Sequence, residues 1–244
     1  MKKYSYPLSK LGWNQNTKQY AKMWQDKSKR WLSVKELNII KNSLFSYLEG
    51  SKLTIDNILI LDVGVGAGRI LGLYIDECHA TKVHGVDYAE NMIKFNKQKY
   101  KNKVILNKCD ISKSTPFKKK KFNFISAIRV IKYQKNWKKV FEKISSILKN
   151  DGIFVFSIPN KQSVNIFSGD KMASTTISEL KNILSNSDLE ILNTFGYTRL
   201  PEPLYNIKIL QDLIIIIESI LSQILPKHYL SKVMFVVVKK TSKK

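Results

Sequence analysis

"LDVGVGAGRI", residues 61–70, follows directly on the apolar residues "NILI" of 57–60. Glycines at alternate positions (Gly64, Gly66 and Gly68) stand between an acid, Asp62, and a base, Arg69. A continuous apolar run ending in a glycine turn predicts a strand buried on both faces. Outward from it, strands and helices alternate. "RILGLYIDEC" (69–78) reads as a helix, "KVHGVDYA" (82–89) as a strand and "AENMIKFNKQKY" (89–100) as a helix. "KVILNKCDI" (103–111) and "FNFISAIRV" (122–130) are two further strands. "WKKVFEKISSILKNDG" (137–152) is expected to be a helix closed by Gly152 at the C′ position. "IFVFSIPN" (153–160) is the fifth strand, and "TTISELKNILSNSD" (175–188) a helix opened by a Thr or Ser cap. "LEILNTFGYTRL" (189–200) and "KVMFVVVKK" (232–240) are the last two strands, expected to add an antiparallel edge. Such alternation predicts an α/β fold: a doubly wound, mostly parallel sheet of seven strands.

No internal repeat or low-complexity linker interrupts the 244 residues, so one domain is expected over 1–244. Its parts are a helical cap (1–50), a ligand-binding core (51–200), a helical insertion (201–231), and a last strand with a basic tail (232–244). Within the cap, Tyr20, Trp24, Trp31, Leu37 and Ile40 mark helical apolar positions over about 16–50. The opening "MKKYSYPLSKLGWNQ" lacks the apolar core of a signal peptide. Cys78 and Cys109 have no metal-ligand spacing and cannot staple a secreted scaffold, so a cytoplasmic location is expected and no metal site. The longest aliphatic run, "LIIII" at 213–217, is far short of the ~18 residues needed to span a bilayer.

The net charge of +23 invites a nucleic-acid reading. Only four of the 42 basic residues are arginine, however: Arg30, Arg69, Arg129 and Arg199. Phosphate and base recognition favours the guanidinium fork. Lysines are spread along the chain together with abundant Asn and Ile, which share A/T-rich codons, so composition accounts for the charge without any partner. The cluster "KKKK" at 118–121 reads as a solvated loop. A basic surface for RNA or anionic lipid stays open but is not favoured.

Ligands of doubly wound sheets bind beyond the carboxyl ends of the strands, here at the Gly64–Gly68 turn. A dinucleotide fingerprint would require glycine at position 69, which is Arg69. Asp87, 23 positions after Gly64 and at the end of the second strand, is placed to take both hydroxyls of a ribose. Asp110, ending the third strand, suits the exocyclic amine of adenine, and Asp62 suits a cationic head rather than a pyrophosphate. Each acid alone could simply cap a turn. Together they describe an adenosine bearing a positive group, S-adenosylmethionine.

On these residues the chain resembles the class I S-adenosylmethionine-dependent methyltransferases, in their small-molecule, type 11-like branch. "ILDVGVGAGR" (60–69), "GVDYAENMI" (85–93), "CDI" (109–111) and the block from "FNFISAIRVIKY" to "IFVFSIPN" (122–160) carry the likeness. Asn123, where the family often has an acid, and "SNSDLEIL" (185–192) depart from it. The resemblance implies that Gly64, Gly66 and Gly68 pass beneath the methionine part of the cofactor. It implies that Asp87, beside Tyr88, holds the ribose, that Asp110 with Ile111 meets the adenine, and that Arg129 borders the transferring methyl. Tyr20 and Trp24 match the place where this branch covers its cofactor, although core packing explains both equally simply.

Methyl transfer from a sulfonium needs alignment and exclusion of water, with a base only for a protonated acceptor. Arg129 and His228 are therefore weak catalytic candidates, while His79 and His84 flank the second strand away from the site. "AIRVIKY" (127–133) lacks the Asn/Asp-Pro-Pro-aromatic loop of nucleic-acid amine methyltransferases. Neither cysteine follows a proline, and Cys109 is expected on a buried strand. A small-molecule or glycan-pathway O- or N-acceptor is thus expected, with RNA or a lipid- or quinone-type acceptor as alternatives. Over 204–225 the apolar residues cover nearly the whole circumference of one predicted helix. It reads best as a lid over the acceptor pocket; a dimer seam (the chain being a monomer or a homodimer) or peripheral membrane contact are the other uses.

Overall fold

The computed structural model describes residues 17–24, 27–117, 121–134, 136–165, 173–225 and 228–241. The stretches 1–16 and 118–120, on which the leader and lysine-cluster expectations fall, lie outside these. The first strand, β1 (Ile60–Val63), is buried at every residue, as its unbroken apolar run requires. It pairs in parallel with β2 (Val83–Asp87) on one side and β4 (Phe122–Ala127) on the other. β3 (Ile105–Lys108) extends the sheet beyond β2. β5 (Leu148–Pro159) continues it beyond β4. The strand order is β3-β2-β1-β4-β5-β7-β6, with β6 spanning Leu189–Tyr197 and β7 spanning Val233–Lys240. The expected antiparallel pair is present, but its antiparallel member is not at the edge. β7 inserts between β5 and β6 and runs against both, leaving β6 as the edge strand. The reason is burial: Met234 through Val238 are apolar on both faces and belong inside a sheet, whereas β6 leaves Leu192 exposed.

Alternate strand residues feed two cores. Ile60, Phe124, Val155 and Phe235 pack with Ile39, Ile40 and Leu44 on one face. Leu61, Ile125, Phe154 and Val236 pack with Phe141, Ile144, Leu180 and Leu184 on the other. The helices of the first face are α1 (Thr17–Met23), α2 (Lys27–Ser51), α3 (Arg69–Gly72) and α4 (Glu90–Tyr100). α3 continues as a π-helical turn, Leu73–Glu77. On the opposite face lie α5 (Trp137–Ile147) and α6 (Ile177–Ser185). Thr176 caps α6 as the sequence suggests. Its hydroxyl accepts from the Glu179 N–H at 3.2 Å, and its own N–H donates to the Glu179 carboxylate at 3.1 Å.

Two helix ends differ from expectation. α5 stops at Ile147, five residues short of Gly152, because Leu148 is already drawn into β5; the left-handed position is taken by Asp151, with φ +62°. The insertion is not one helix from 204 to 225. Two short 3-10 turns, Glu202–Asn206 and Lys208–Leu210, precede α7 (Gln211–Ile224). Asn123 finds its own use: its Oδ1 accepts from the Leu59 N–H at 3.0 Å and its amide donates to the Tyr47 hydroxyl at 3.0 Å. Among the described residues no helix is long and apolar enough to cross a membrane.

Candidate active site

The turn after β1 is built on positive φ: +77° at Gly64, +49° at Gly66 and +79° at Gly68. A Cβ on Gly64 would stand 2.2 Å from Val130 Cγ2, so only glycine lets the turn lie against the loop after β4. Gly68 faces inward, where its carbonyl accepts from the Tyr100 hydroxyl at 2.9 Å. Asp87, at the tip of β2, ties the turn in place. One carboxylate oxygen accepts from the Gly66 N–H and the other from the Ala89 N–H, both at 2.9 Å. Burial pushes its pKa up, opposed by the N–H groups of Ala89, Gly66 and Tyr88.

Two clefts open at this end of the sheet. The first is walled by Gly64, Gly66, Asp87, Met92, Ile128, Arg129, Val130, Tyr133 and Gln134, with Tyr20 of α1 over the turn. The second is walled by Lys108, Cys109, Asp110, Ser114, Thr115 and Pro116. Tyr88 borders both, so the two lie on either side of it and together make up the trough. Asp110 is held in it by its own turn, its Oδ1 accepting from the Ser112 hydroxyl at 2.7 Å and N–H at 3.1 Å. Cys109 is half-buried on the trough wall, past the end of β3, rather than on a buried strand.

Of the residues expected at the site, Tyr20, Gly64, Gly66, Asp87, Tyr88, Asp110 and Arg129 line the trough. Asp62, Gly68, Ile111 and His228 line neither cleft. Asp62 is fully buried: Oδ1 accepts from the Ser126 hydroxyl at 2.7 Å, and Oδ2 has no hydrogen-bond partner among the described residues. Burial pushes its carboxyl up to about 7. Ile111 packs in the second core. His228 shares a hydrogen bond with Thr194 at 3.1 Å, and burial, reinforced by Lys181 and Arg199, lowers its pKa. His84 does not flank β2 but lies within it, buried edge-on against Phe117 and Phe122. Among the described residues, no wall residue of either cleft comes from 201–231, where the lid reading expected some.

The residue that sequence reasoning missed is Glu36. It is fully buried on α2 and accepts from both Arg69 and Arg129, the latter through Nε at 2.9 Å and Nη2 at 2.6 Å. Burial raises its pKa, but the guanidiniums of Arg129 and Arg69 outweigh that and hold it below the ordinary carboxylate value. The ring of Trp24 lies 4.2 Å from the Arg69 guanidinium and 5.1 Å from that of Arg129, and Tyr20 meets Trp24 edge-on. Arg129 itself holds φ +61°, with its N–H donated to the Ser157 hydroxyl at 2.7 Å. In the structure Glu36 stands in register with Ser33, Ile40 and Leu44 on the buried stripe of α2.

Residues 61–156 match the family model described as a methyltransferase domain. The sheet and its flanking helices have the Rossmann-like methyltransferase fold. An S-adenosylmethionine-dependent methyltransferase from Clostridium acetobutylicum superposes with a TM-score of 0.64 at 14% identity, over 92% of this chain and 99% of that one. Magnesium protoporphyrin IX methyltransferase from Synechocystis, solved with bound S-adenosylmethionine, superposes with a TM-score of 0.61 at 11% identity, over 98% and 100%. An uncharacterized protein of Methanocaldococcus jannaschii is 25% identical over 143 residues, 59% of this chain and 48% of that protein. The chain thus spans about half the length of that relative. The family uses S-adenosylmethionine, and the trough fits it. Gly64 and Gly66 line the first cleft, Asp87 presents a carboxylate beside them, and Tyr88 stands between this cleft and a second that contains Asp110.

Proposed function

We propose that the protein transfers the methyl group of S-adenosylmethionine to an oxygen or nitrogen of a small-molecule or glycan-pathway acceptor. One observation carries the choice of acceptor: most of the arginines of the chain are turned inward. Arg69 and Arg129 are paired with Glu36, and Arg199 with Glu218, so three of the four arginines face carboxylates of this chain. A duplex or a loop of RNA needs such forks at the surface.

When bound, S-adenosylmethionine supplies a methyl already activated on a sulfonium. The chain's own residues then bind, orient and dry the site. Asp87 accepts from the ribose, the Gly64–Gly66 turn lies against the methionine part, and Asp110 serves the adenine end. Tyr20, Ile128 and Val130 exclude water, which raises the rate through alignment rather than acid–base chemistry. Tyr133 and Gln134 offer the polar groups on the acceptor side.

Isothermal titration is expected to show binding of S-adenosylmethionine and of its demethylated product, and none of NAD. Asp87→Ala should weaken that binding by about 1.5–3 kcal/mol, the loss of a charged acceptor. Extract fractions incubated with radiolabelled methyl donor should yield labelled small molecules resistant to ribonuclease. Strong NAD binding without the other two would overturn the reading, and label confined to ribonuclease-sensitive material would overturn the acceptor class.

A further inference from the structure

A large apolar face is exposed on α7. Leu213 is 53% exposed, Ile216 56%, Ile220 49% and Ile224 72%, and Ile209 in the turn before the helix is 94% exposed. The steps of three, four and four residues from Leu213 to Ile224 set these four on a single side of the helix. The other side is locked. Ile214 and Glu218 are buried, and the Glu218 carboxylate accepts from the Arg199 guanidinium at 2.8 Å, the Arg199 N–H at 3.0 Å and the Tyr205 hydroxyl. Arg199 also donates to Ser222 at 2.8 Å, and Tyr205 stacks on Trp31 of α2, with ring centroids 6.3 Å apart. A buried charge network therefore holds the helix with its apolar face outward.

We propose that this face lies in the interface of an anionic lipid surface. The charge of the chain selects that occupant. Between Ile207 and Lys232 the sequence holds Lys208, Lys227 and Lys232 against Asp212 and Glu218, and Glu218 is neutralised inside by Arg199. The whole chain carries +23. A second copy brings the same +23, so pairing two such faces is opposed by repulsion, while anionic headgroups attract a chain of that charge and the interface accepts the exposed apolar stripe. The placement is also consistent with use. The insertion leaves β6 at Tyr197, and β6 runs parallel to β1, so α7 stands at the same end of the sheet as the glycine turn and its trough.

The test uses the full chain and extruded vesicles of phosphatidylcholine alone or mixed with phosphatidylglycerol, without S-adenosylmethionine, so that it does not depend on the methyl-transfer reading. Co-sedimentation should show binding to the anionic vesicles, weaker binding to neutral ones, and weakening of the anionic binding by salt. Ile216→Ser with Ile220→Ser should lower the anionic-vesicle affinity about tenfold or more. Both side chains face outward, so the thermal melt should be unchanged. Ile216→Trp should retain binding and shift its fluorescence to the blue only with anionic vesicles. Absence of wild-type binding at low salt, or a double serine variant that binds like wild type, overturns the proposal. A homodimer in sedimentation that the serine variant dissociates also overturns it, assigning the face to a second copy.

Discussion

Replacing Glu36 by glutamine keeps the shape of the side chain and removes the one negative charge between Arg69 and Arg129. Glu36 is fully buried, and the two arginine side chains are only 17% and 15% exposed, so water can compensate little of the loss. Removing one partner of a buried ion pair costs about 3–5 kcal/mol, because the remaining charge stays desolvated. The Trp24 ring beside both guanidiniums and their residual exposure place the variant near the lower end, about 3 kcal/mol. For a chain of this size that lowers the melting temperature by roughly 6–12 °C. A pH series of thermal melts followed by circular dichroism separates the charge from the shape. Because the folded pKa of Glu36 is depressed, its contribution to stability is present above the ordinary value of 4.5 and is lost as pH falls through the folded value. Wild type should therefore show an acid-side decline that Glu36→Gln lacks. Arg129→Gln added to Glu36→Gln should recover part of the loss by removing one unpaired cation. The same variant should bind S-adenosylmethionine more weakly, since Arg129 at φ +61° is no longer held against the trough. A Glu36→Gln protein melting within about 1 °C of wild type, with unchanged acid-side slope, would refute the reasoning.

Gly64→Ala should abolish detectable S-adenosylmethionine binding in titration while circular dichroism retains the sheet signal, since the new Cβ would meet Val130 Cγ2 at 2.2 Å on a backbone of φ +77°. Asp62→Asn should flatten the pH dependence of stability between about 4 and 7, measured by urea denaturation. The sign follows from the raised pKa: folded Asp62 keeps a proton up to about 7 that the unfolded chain releases near 3.8, so the wild type loses stability as pH rises through that window. Thr176→Ala should cost about 1 kcal/mol in the same assay, the worth of one N-cap.

The parts of this molecule that could be read from sequence are those fixed by local chemistry. β1, β2 and β4 are buried at every position and announce themselves as apolar runs, and the Gly64–Gly68 turn announces itself because glycine adopts repeated positive φ without steric cost. Thr176 and Glu179 form their capping box within four residues. What could not be read depends on partners distant in sequence. Glu36 and Arg129 are 93 residues apart and meet only when α2 packs over the loop after β4. Without that pairing, Glu36 looks like one more charge on a lysine-rich helix. Position alone misled at Asp62. Its place before the glycines suggested a ligand contact, yet register with Ser126 on β4 turns its carboxyl into the sheet.

The helix of 204–225 shows the same limit from the other direction. Its composition required burial, and a lid, a dimer seam and a membrane satisfy that requirement equally. Arg199 and Glu218 remove part of the ambiguity. By fixing which side of α7 faces the protein, they leave Leu213, Ile216, Ile220 and Ile224 facing outward, at the end of the sheet that holds the trough but on none of its walls. A lid would present its apolar side to the acceptor and its polar side to water. This helix places its Glu218 carboxylate against the protein and Ile216, Ile220 and Ile224 outside.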